Sequence, residues 1–142
     1  MGATAADGQN DEEAPAVRAQ RATERITDHP DVTDITLQGV LDALADPVRR
    51  SIFRQLASAA EDIACGTFDI SVTRSTGTHH FRVLRQAGII KQHYMGTLKM
   101  NTLRRAELNS LFPGLLDALA EAASREVDSP AARSDLIAAA GR

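Results

Sequence analysis

One stretch of the chain, from Ser71 to Arg105, carries seven basic side chains and no acidic one. The whole chain of 142 residues has a formal net charge of −3. A solvated surface normally mixes both signs, so an acid-free window in an acidic chain indicates a polyanionic partner. Guanidinium groups pair with guanine or clamp phosphate, and small polar side chains let a helix approach DNA closely. We therefore predict double-stranded DNA as the partner of this window.

The first half of the window predicts a helix from Arg74 to about Ala87, with Thr73 as its N-cap and Gly88 as its stop. Small and apolar residues recur at helical spacing and should face inward: Gly77, His80, Phe81 and Leu84. His80 is therefore interpreted as a hydrogen-bonded core histidine rather than a metal ligand. The opposite face is the predicted DNA-reading surface: Arg74, Ser75, Thr78, His79, Arg82 and Arg85.

The second half of the window predicts a β-hairpin. Two alternating segments, Ile89–His93 and Leu98–Leu103, are separated by a short stretch that contains Gly96. The hairpin offers further side chains for contacts to the DNA backbone or minor groove: Lys91, His93, Tyr94, Thr97 and Lys99. The alternative for Lys91 is a solvated side chain on a strand edge, without a contact to DNA.

Helices are predicted on both sides of this window. Apolar stripes indicate a first helix that begins near Asp34 and a last helix after Pro113. Their members are Leu37, Val40, Leu41 and Leu44 in the first, and Leu115, Leu116, Leu119 and Ala123 in the last. Asp46 and Pro47 begin a second helix that runs to about Ala59. A short helix or turn is expected near Asp62–Gly66, followed by an extended link, and another helix near Ala106–Ser110. This order is typical of a mainly α, winged helix-turn-helix fold.

Composition divides the chain into three parts. Residues 1–34 hold eight acids, three arginines and little apolar periodicity, so 1–33 are predicted to be a disordered acidic tail. Two explanations for the acidity of this tail are open: it keeps the protein soluble, or it competes weakly with DNA for the basic face. Residues 34–125 form the predicted DNA-binding and dimerisation domain, and 126–142 a C-terminal tail or short helix. The chain has no apolar run of about 18 residues and no signal peptide, which predicts no membrane partner and a cytoplasmic location.

The sequence LDALADPVRRSIFRQLA, followed by STGTHHFRVLRQAGII, resembles the ArsR-type winged helix-turn-helix regulators. The resemblance extends from about Leu37 to Ala120, and its most specific pieces are Asp46–Arg50 and Ser75–Gly88. Thr-His-His-Phe at 78–81 stands where Ser-His-His-Leu is common in that family. The resemblance implies a homodimer that binds a roughly palindromic operator and usually represses. It also implies dimerisation through the first and last helices.

Departures from the family pattern bear on metal sensing. Metal-sensing members carry Cys-x-Cys near the element before the recognition helix, or paired Asp and His ligands on the last helix. Here the first region holds Cys65 alone, and the predicted last helix, 113–125, has no His or Cys. Soft metals want at least two thiolates and zinc about four ligands, so no metal site and no cofactor are predicted. Cys65 is interpreted as a small buried residue, and a redox- or electrophile-sensing thiol is the alternative.

These observations predict a sequence-specific transcriptional regulator. The resemblance implies that it acts as a homodimeric repressor, and an unknown small-molecule effector is a further expected partner. A thiol-based sensor of the same fold, using Cys65, is one alternative. A protein-interaction module that does not bind DNA is another, although a protein partner would not require an acid-free basic surface. An enzyme is not indicated, since the sequence offers no nucleophile–base–acid set and no glycine loop for phosphate.

Overall fold

The computed structural model describes Ile26 and residues 28–128. It confirms a mainly α, winged helix-turn-helix fold. The elements in chain order are α1 (Leu37–Ala43), α2 (Pro47–Ser58), β1 (Ile63–Ala64), α3 (Arg74–Gln86), β2 (Ile90–Met95), β3 (Leu98–Leu103), α4 (Arg105–Leu111) and α5 (Leu115–Asp128). Two 3-10 turns, Val32–Asp34 and Cys65–Thr67, stand outside this series. Of the predicted tails, residues 1–25, 27 and 129–142 lie outside the described part of the chain.

Local capping chemistry begins the two central helices where the sequence predicts. The Asp46 carboxylate accepts hydrogen bonds from the amides of Val48 (2.8 Å) and Arg49 (3.1 Å) at the start of α2. The Thr73 hydroxyl accepts from the amide of Thr76 (3.2 Å) at the start of α3. These contacts satisfy amides that have no partner within their own helix, so each cap fixes where its helix begins.

The first helix begins later than predicted, at Leu37 instead of near Asp34. Its N-cap is Thr36, whose hydroxyl accepts from the amide of Gly39 at 3.0 Å. Ile35, just before this cap, has an extended backbone and is buried. Gly88, after α3, has a φ of +83°, and a Cβ there would collide with the Ile35 side chain. The burial of Ile35 against Gly88 thus separates α1 from the preceding 3-10 turn.

The wing is a three-stranded antiparallel sheet in the order β1-β3-β2, so β2 is an edge strand. Met95 pairs with Leu98, which leaves a two-residue turn of Gly96 and Thr97, tighter than the predicted link. Gly96 has a φ of +65°, as the first residue of a type II′ hairpin turn requires. The remaining strand, β1 (Ile63–Ala64), lies in a region that was predicted as a helix or turn. It pairs with Met100 and Asn101, which are distant in sequence and give no local signal.

The core lies where α1, α2, α3, α4 and the hairpin meet. Its fully buried aliphatic side chains are Val40, Ile52, Leu84, Ile89, Ile90 and Leu108. The apolar stripe of α1 is divided, because Leu37 and Leu41 stay 47% and 42% exposed. No helix in the described residues has the length and hydropathy needed to cross a bilayer.

Candidate nucleic-acid interface

The outward face of α3 is polar, basic and exposed. The structure brings together five of the six predicted reading residues on it: Arg74, Ser75, Thr78, His79 and Arg82. The Thr78 hydroxyl donates to the Arg74 carbonyl at 3.0 Å. Within the described residues no carboxylate pairs with the guanidinium of Arg74 or Arg82. This face can therefore donate to base edges and phosphates.

The opposite face of α3 is anchored by His80. The imidazole is buried, and its Nδ1 lies 3.1 Å from Nη1 of Arg49, which can only donate. Burial lowers the pKa of His80, Asp46 opposes this shift, and the Arg49 charge adds to it. A neutral His80 therefore joins α3 to the first turn of α2. Together with the buried Phe81 and Leu84, this contact holds the inward face of α3 against the core.

Arg85 is not part of the exposed face, which corrects its predicted placement. It is only 8% exposed, and its Nη2 and Nε lie 3.0 Å from the two carboxylate oxygens of Asp28. Its Nη1 donates to the side-chain oxygen of Gln92. Arg85 follows Gly77 by eight residues and Phe81 by four, so helical spacing already placed it at the border of the inward face. Its ion-pair partner Asp28 is 57 residues away, and Gln92 lies on the following strand, so helical spacing alone could not identify these contacts.

The five predicted wing residues are divided between the two faces of the sheet. Register and strand alternation place Tyr94 and Lys99 opposite one another, on the face that also carries Gln92 and Asn101. Lys91 and His93 lie on the other face. The ammonium of Lys91 is 3.9 Å from Glu107, and Nε2 of His93 is 3.6 Å from Asp62. Thr97 is at the hairpin tip. The structure thus brings only part of the wing set near α3.

A groove of about 510 Å³ lies between the N-terminal half of α3 and the wing tip. The helix contributes Thr73, Arg74 and Thr78 to its walls, and the wing contributes Thr97 and Lys99. Apolar side chains of Phe68, Phe81 and Leu98 form much of the rest. The positive end of the α3 dipole points into the same region. The groove thus combines hydroxyl, guanidinium and ammonium donors from helix and wing with a partly apolar lining.

A buried polar network, which was not predicted from the sequence, lies beneath the wing. Gln92 donates to the side-chain oxygen of Asn101 at 2.8 Å, and Asn101 donates to the Ile63 carbonyl at 3.0 Å. The Cys65 sulfur accepts from Asn101 at 3.2 Å and from Gln92 at 3.7 Å. The sequence did hold a signal for this network, since Gln92 and Asn101 occupy inward positions of the two predicted strands and buried amides need hydrogen-bond partners. Through Gln92 this network continues to Arg85, so it joins Cys65 to the last turn of α3.

Cys65 itself is half-buried and lines the groove between α3 and the wing. It is therefore less enclosed than the buried position interpreted from the sequence. In the part of the chain that the structure describes, no three His, Cys, Asp or Glu side chains are grouped as metal ligands would be.

Comparison with known proteins adds to this geometry. Residues 44–93 match a family model described as a helix-turn-helix domain. An uncharacterized HTH-type transcriptional regulator of Bacillus subtilis, YceK, is 28% identical over 82 residues, which cover 56% of this chain and 82% of that protein. The solved structure of an ArsR-like transcriptional regulator from Rhodococcus sp. RHA1 is 23% identical, with a TM-score of 0.46 over 73% of this chain and 87% of that one.

The matched residues 44–93 contain α2, α3 and most of β2, which are the elements that present the basic face. Residues 44–93 are thus similar to helix-turn-helix domains, and 82 residues of the chain are similar to a protein described as an HTH-type transcriptional regulator, in agreement with the sequence prediction. Both named proteins are described as transcriptional regulators.

Proposed function

We propose that this helix-turn-helix protein is a homodimeric repressor that reads a palindromic operator with the exposed face of α3. The observation that carries the proposal is the composition of that face. Arg74, Thr78 and Arg82 are exposed without carboxylate partners among the described residues, next to a groove lined by Thr97 and Lys99. Exposed guanidiniums that no protein acid neutralises are suited to base edges and phosphates.

The reading face divides into two roles. Ser75 and Thr78 are small, which lets the α3 backbone approach the floor of the major groove. Arg82 and His79 follow in the next turn, where longer side chains reach base edges. In this proposal, Arg74, at the positive end of the helix, and Lys99, across the groove, contact phosphates. Arg85 is excluded from the contact set because it is buried, and Lys91 and His93 face another direction.

Duplex binding and its salt dependence test this assignment without a known operator. With a random-sequence duplex as probe, affinity should fall steeply with salt, because each phosphate contact releases counterions. Arg74→Gln should lower the slope of log affinity against log salt by about one. Arg125→Gln is the matched control, since Arg125 is exposed on α5 and pairs only with Glu121 among the described residues. Salt-independent binding, or none, would favour the protein-interaction module instead.

The homodimer is proposed from an apolar surface on α1 and α5. Leu37 and Leu41 are exposed on α1. Beside Leu37 lies a groove of about 280 Å³ whose lining is mostly apolar: Leu41, Leu44, Phe53, Leu119, Ala122 and Ala123, together with the ion-paired Arg50 and Glu126. A second copy that covers this surface would remove these side chains from water. Two α3 helices about one helical turn of DNA apart, roughly 34 Å, would then fit a palindromic site.

Leu41→Asp tests the dimer without disturbing the core, because Leu41 is 42% exposed in the isolated chain. We expect monomers in size-exclusion chromatography with light scattering, since a carboxylate cannot be buried unpaired at an apolar interface. Gln38→Ala, on the same helix, is the control and should leave the dimer intact. A dimer that persists unchanged in Leu41→Asp would place the interface elsewhere.

A thiol-based switch is a second candidate, and the position of Cys65 favours it. The sulfur lines the proposed DNA groove and also accepts from two amides of the network that reaches Arg85. Modification of the thiol would change both. Wild type should then lose duplex affinity on treatment with peroxide, and Cys65→Ser should not. An equal response of the two proteins would leave Cys65 with a structural role.

The proposal assigns no metal and no cofactor to the protein. The sequence supplies one cysteine and no histidine on the last helix. The small-molecule effector and the cytoplasmic location remain predictions from the sequence. So does the division of the chain at residues 33 and 125.

A further inference from the structure

Residues 28–34, which we name the N-terminal strap, lie across the junction of α3, the wing and α4. Each anchor point is a polar contact to a different element. Asp28 pairs with Arg85 in the last turn of α3, with two contacts of 3.0 Å. The carbonyl of Pro30 accepts from Nη1 of Arg104, just before α4, at 2.7 Å. Immediately after the strap, Ile35 packs on Gly88 at the end of α3.

The central contact of the strap is made by His29 to the edge of the sheet. The main-chain amide of Gln92 donates to Nε2 of His29 at 2.9 Å. Because β2 is an edge strand, this amide points away from β3 and would otherwise have no partner in the sheet. The imidazole thus closes an edge position with a side chain instead of a fourth strand.

We propose that the strap is a pH-sensitive clasp: neutral His29 holds the edge of the wing to the end of α3, and protonation of His29 opens it. A neutral imidazole can accept at Nε2, whereas an imidazolium has donors at both nitrogens. After protonation, Nε2–H would face the amide N–H of Gln92, and the hydrogen bond would be replaced by a repulsive contact.

The charges around His29 strengthen this effect. The charged groups around it belong to several elements: Arg85 from α3, Lys91 from β2, Arg104 before α4, Glu107 from α4, and Asp28 and Asp31 of the strap itself. Two of the three carboxylates are already engaged, Asp28 by Arg85 and Glu107 by Arg104 at 2.7 Å. A proton on His29 therefore enters a site that holds three cations, and among the described residues most of the nearby acid is already paired.

These surroundings also set the direction of the pH effect. Burial lowers the pKa of His29, the charge of Arg85 lowers it further, and Asp28 opposes the shift. A histidine whose folded pKa lies below its unfolded value of about 6.5 stabilises the folded form above that value. The stabilisation by the clasp is thus complete above about pH 6.5 and is lost as the pH falls toward the folded pKa.

Amide hydrogen exchange at Gln92, measured by NMR, tests the clasp directly. Between about pH 7.5 and about pH 5, protection at Gln92 should fall about tenfold or more after correction for intrinsic exchange. Its midpoint should coincide with the titration of the His29 ring. The Arg104 amide, which donates to the Ile89 carbonyl at 3.0 Å, is the internal reference and should stay protected.

His29→Ala is the matched variant. It should leave Gln92 unprotected at both pH values while the Arg104 amide stays protected. The variant retains buried His80, so a pH effect on Gln92 that persists in it would overturn the proposal. Unchanged protection in wild type across the His29 titration would overturn it as well.

A consequence for DNA rests on the proposed function. Wild type should bind a duplex about 3–10 times more tightly than His29→Ala at about pH 7.5, and this ratio should approach one on acidification. The two proteins differ only at position 29, so a pH effect on DNA binding that does not involve His29 cancels in the ratio. A ratio of one at all pH values would mean that the clasp does not affect DNA binding. If neither protein binds DNA, the proposed function fails, and the exchange data alone decide the clasp.

Discussion

Arg82 and Arg85 are three residues apart on α3, yet they belong to two different polar regions. Arg82 is on the exposed face, where no described carboxylate pairs with it. Arg85 is 8% exposed and is held by Asp28 and Gln92. The first region has donors that are free to bind a partner, and the second has donors that the protein already uses. Residue type alone therefore does not identify a DNA contact; the side chain must also lack an internal partner.

The comparison predicts opposite effects for the two arginines. Arg85→Ala should lower the free energy of unfolding by about 2–4 kcal/mol, chiefly because the buried oxygen of Gln92 loses its donor. The ion pair itself contributes less, since the Asp28 side chain is 51% exposed. Urea unfolding followed by circular dichroism measures this loss. Arg82→Ala is the control and should change stability by less than about 0.5 kcal/mol. Equal losses of unfolding free energy in the two variants would contradict the distinction between a structural Arg85 and an exposed Arg82.

DNA binding should reverse that order. Arg82→Ala should weaken binding to a selected operator by about 1–3 kcal/mol if Arg82 reads a base. Arg82→Lys distinguishes base reading from a phosphate contact, because lysine keeps the charge but lacks the planar pair of donors. We expect Arg82→Lys to bind nearly as weakly as Arg82→Ala in fluorescence anisotropy. Full affinity in the lysine variant would reduce Arg82 to a phosphate contact.

Removal of the N-cap of α3 should give the smallest of these effects on stability. It tests whether the start of the helix contributes to positioning the exposed face that carries Arg82. Thr73→Ala removes the acceptor for the Thr76 amide and should cost about 1 kcal/mol of unfolding free energy. Thr73→Ser retains the hydroxyl and should restore most of this loss. Thermal unfolding of the three proteins measures it. If both variants match wild type, the cap does not position the reading face.

Most of the fold was readable from the sequence because its signals are local. Asp46 with Pro47, Thr73 and Gly88 fix helix ends through their own backbone neighbourhoods. The inward face of α3 follows from residue spacing, and five of the six predicted reading residues lie on the outward face as expected. The resemblance to ArsR-type regulators, which depends on these same segments, agrees with the helix-turn-helix match over residues 44–93.

The features that were missed depend on pairings between distant residues. β1 is two residues long and exists because β3 is beside it. The burial of Arg85 requires Asp28, which is 57 residues away. The strap has a polar sequence without periodicity, and its contacts to Arg85, Gln92 and Arg104 are polar. A hydrophobic pattern could not reveal it, so the described residues 28–33 were grouped with the predicted tail.

Selection of bound duplexes from a random DNA pool tests the central claim most directly, that the exposed face of α3 reads sequence. With wild type, we predict enrichment of two inverted half-sites whose centres lie about 10 base pairs apart. With Arg82→Ala, the same selection should relax one base position in each half-site and leave the spacing unchanged. A wild-type pool without a common sequence, or an Arg82→Ala pool identical to it, would contradict the account.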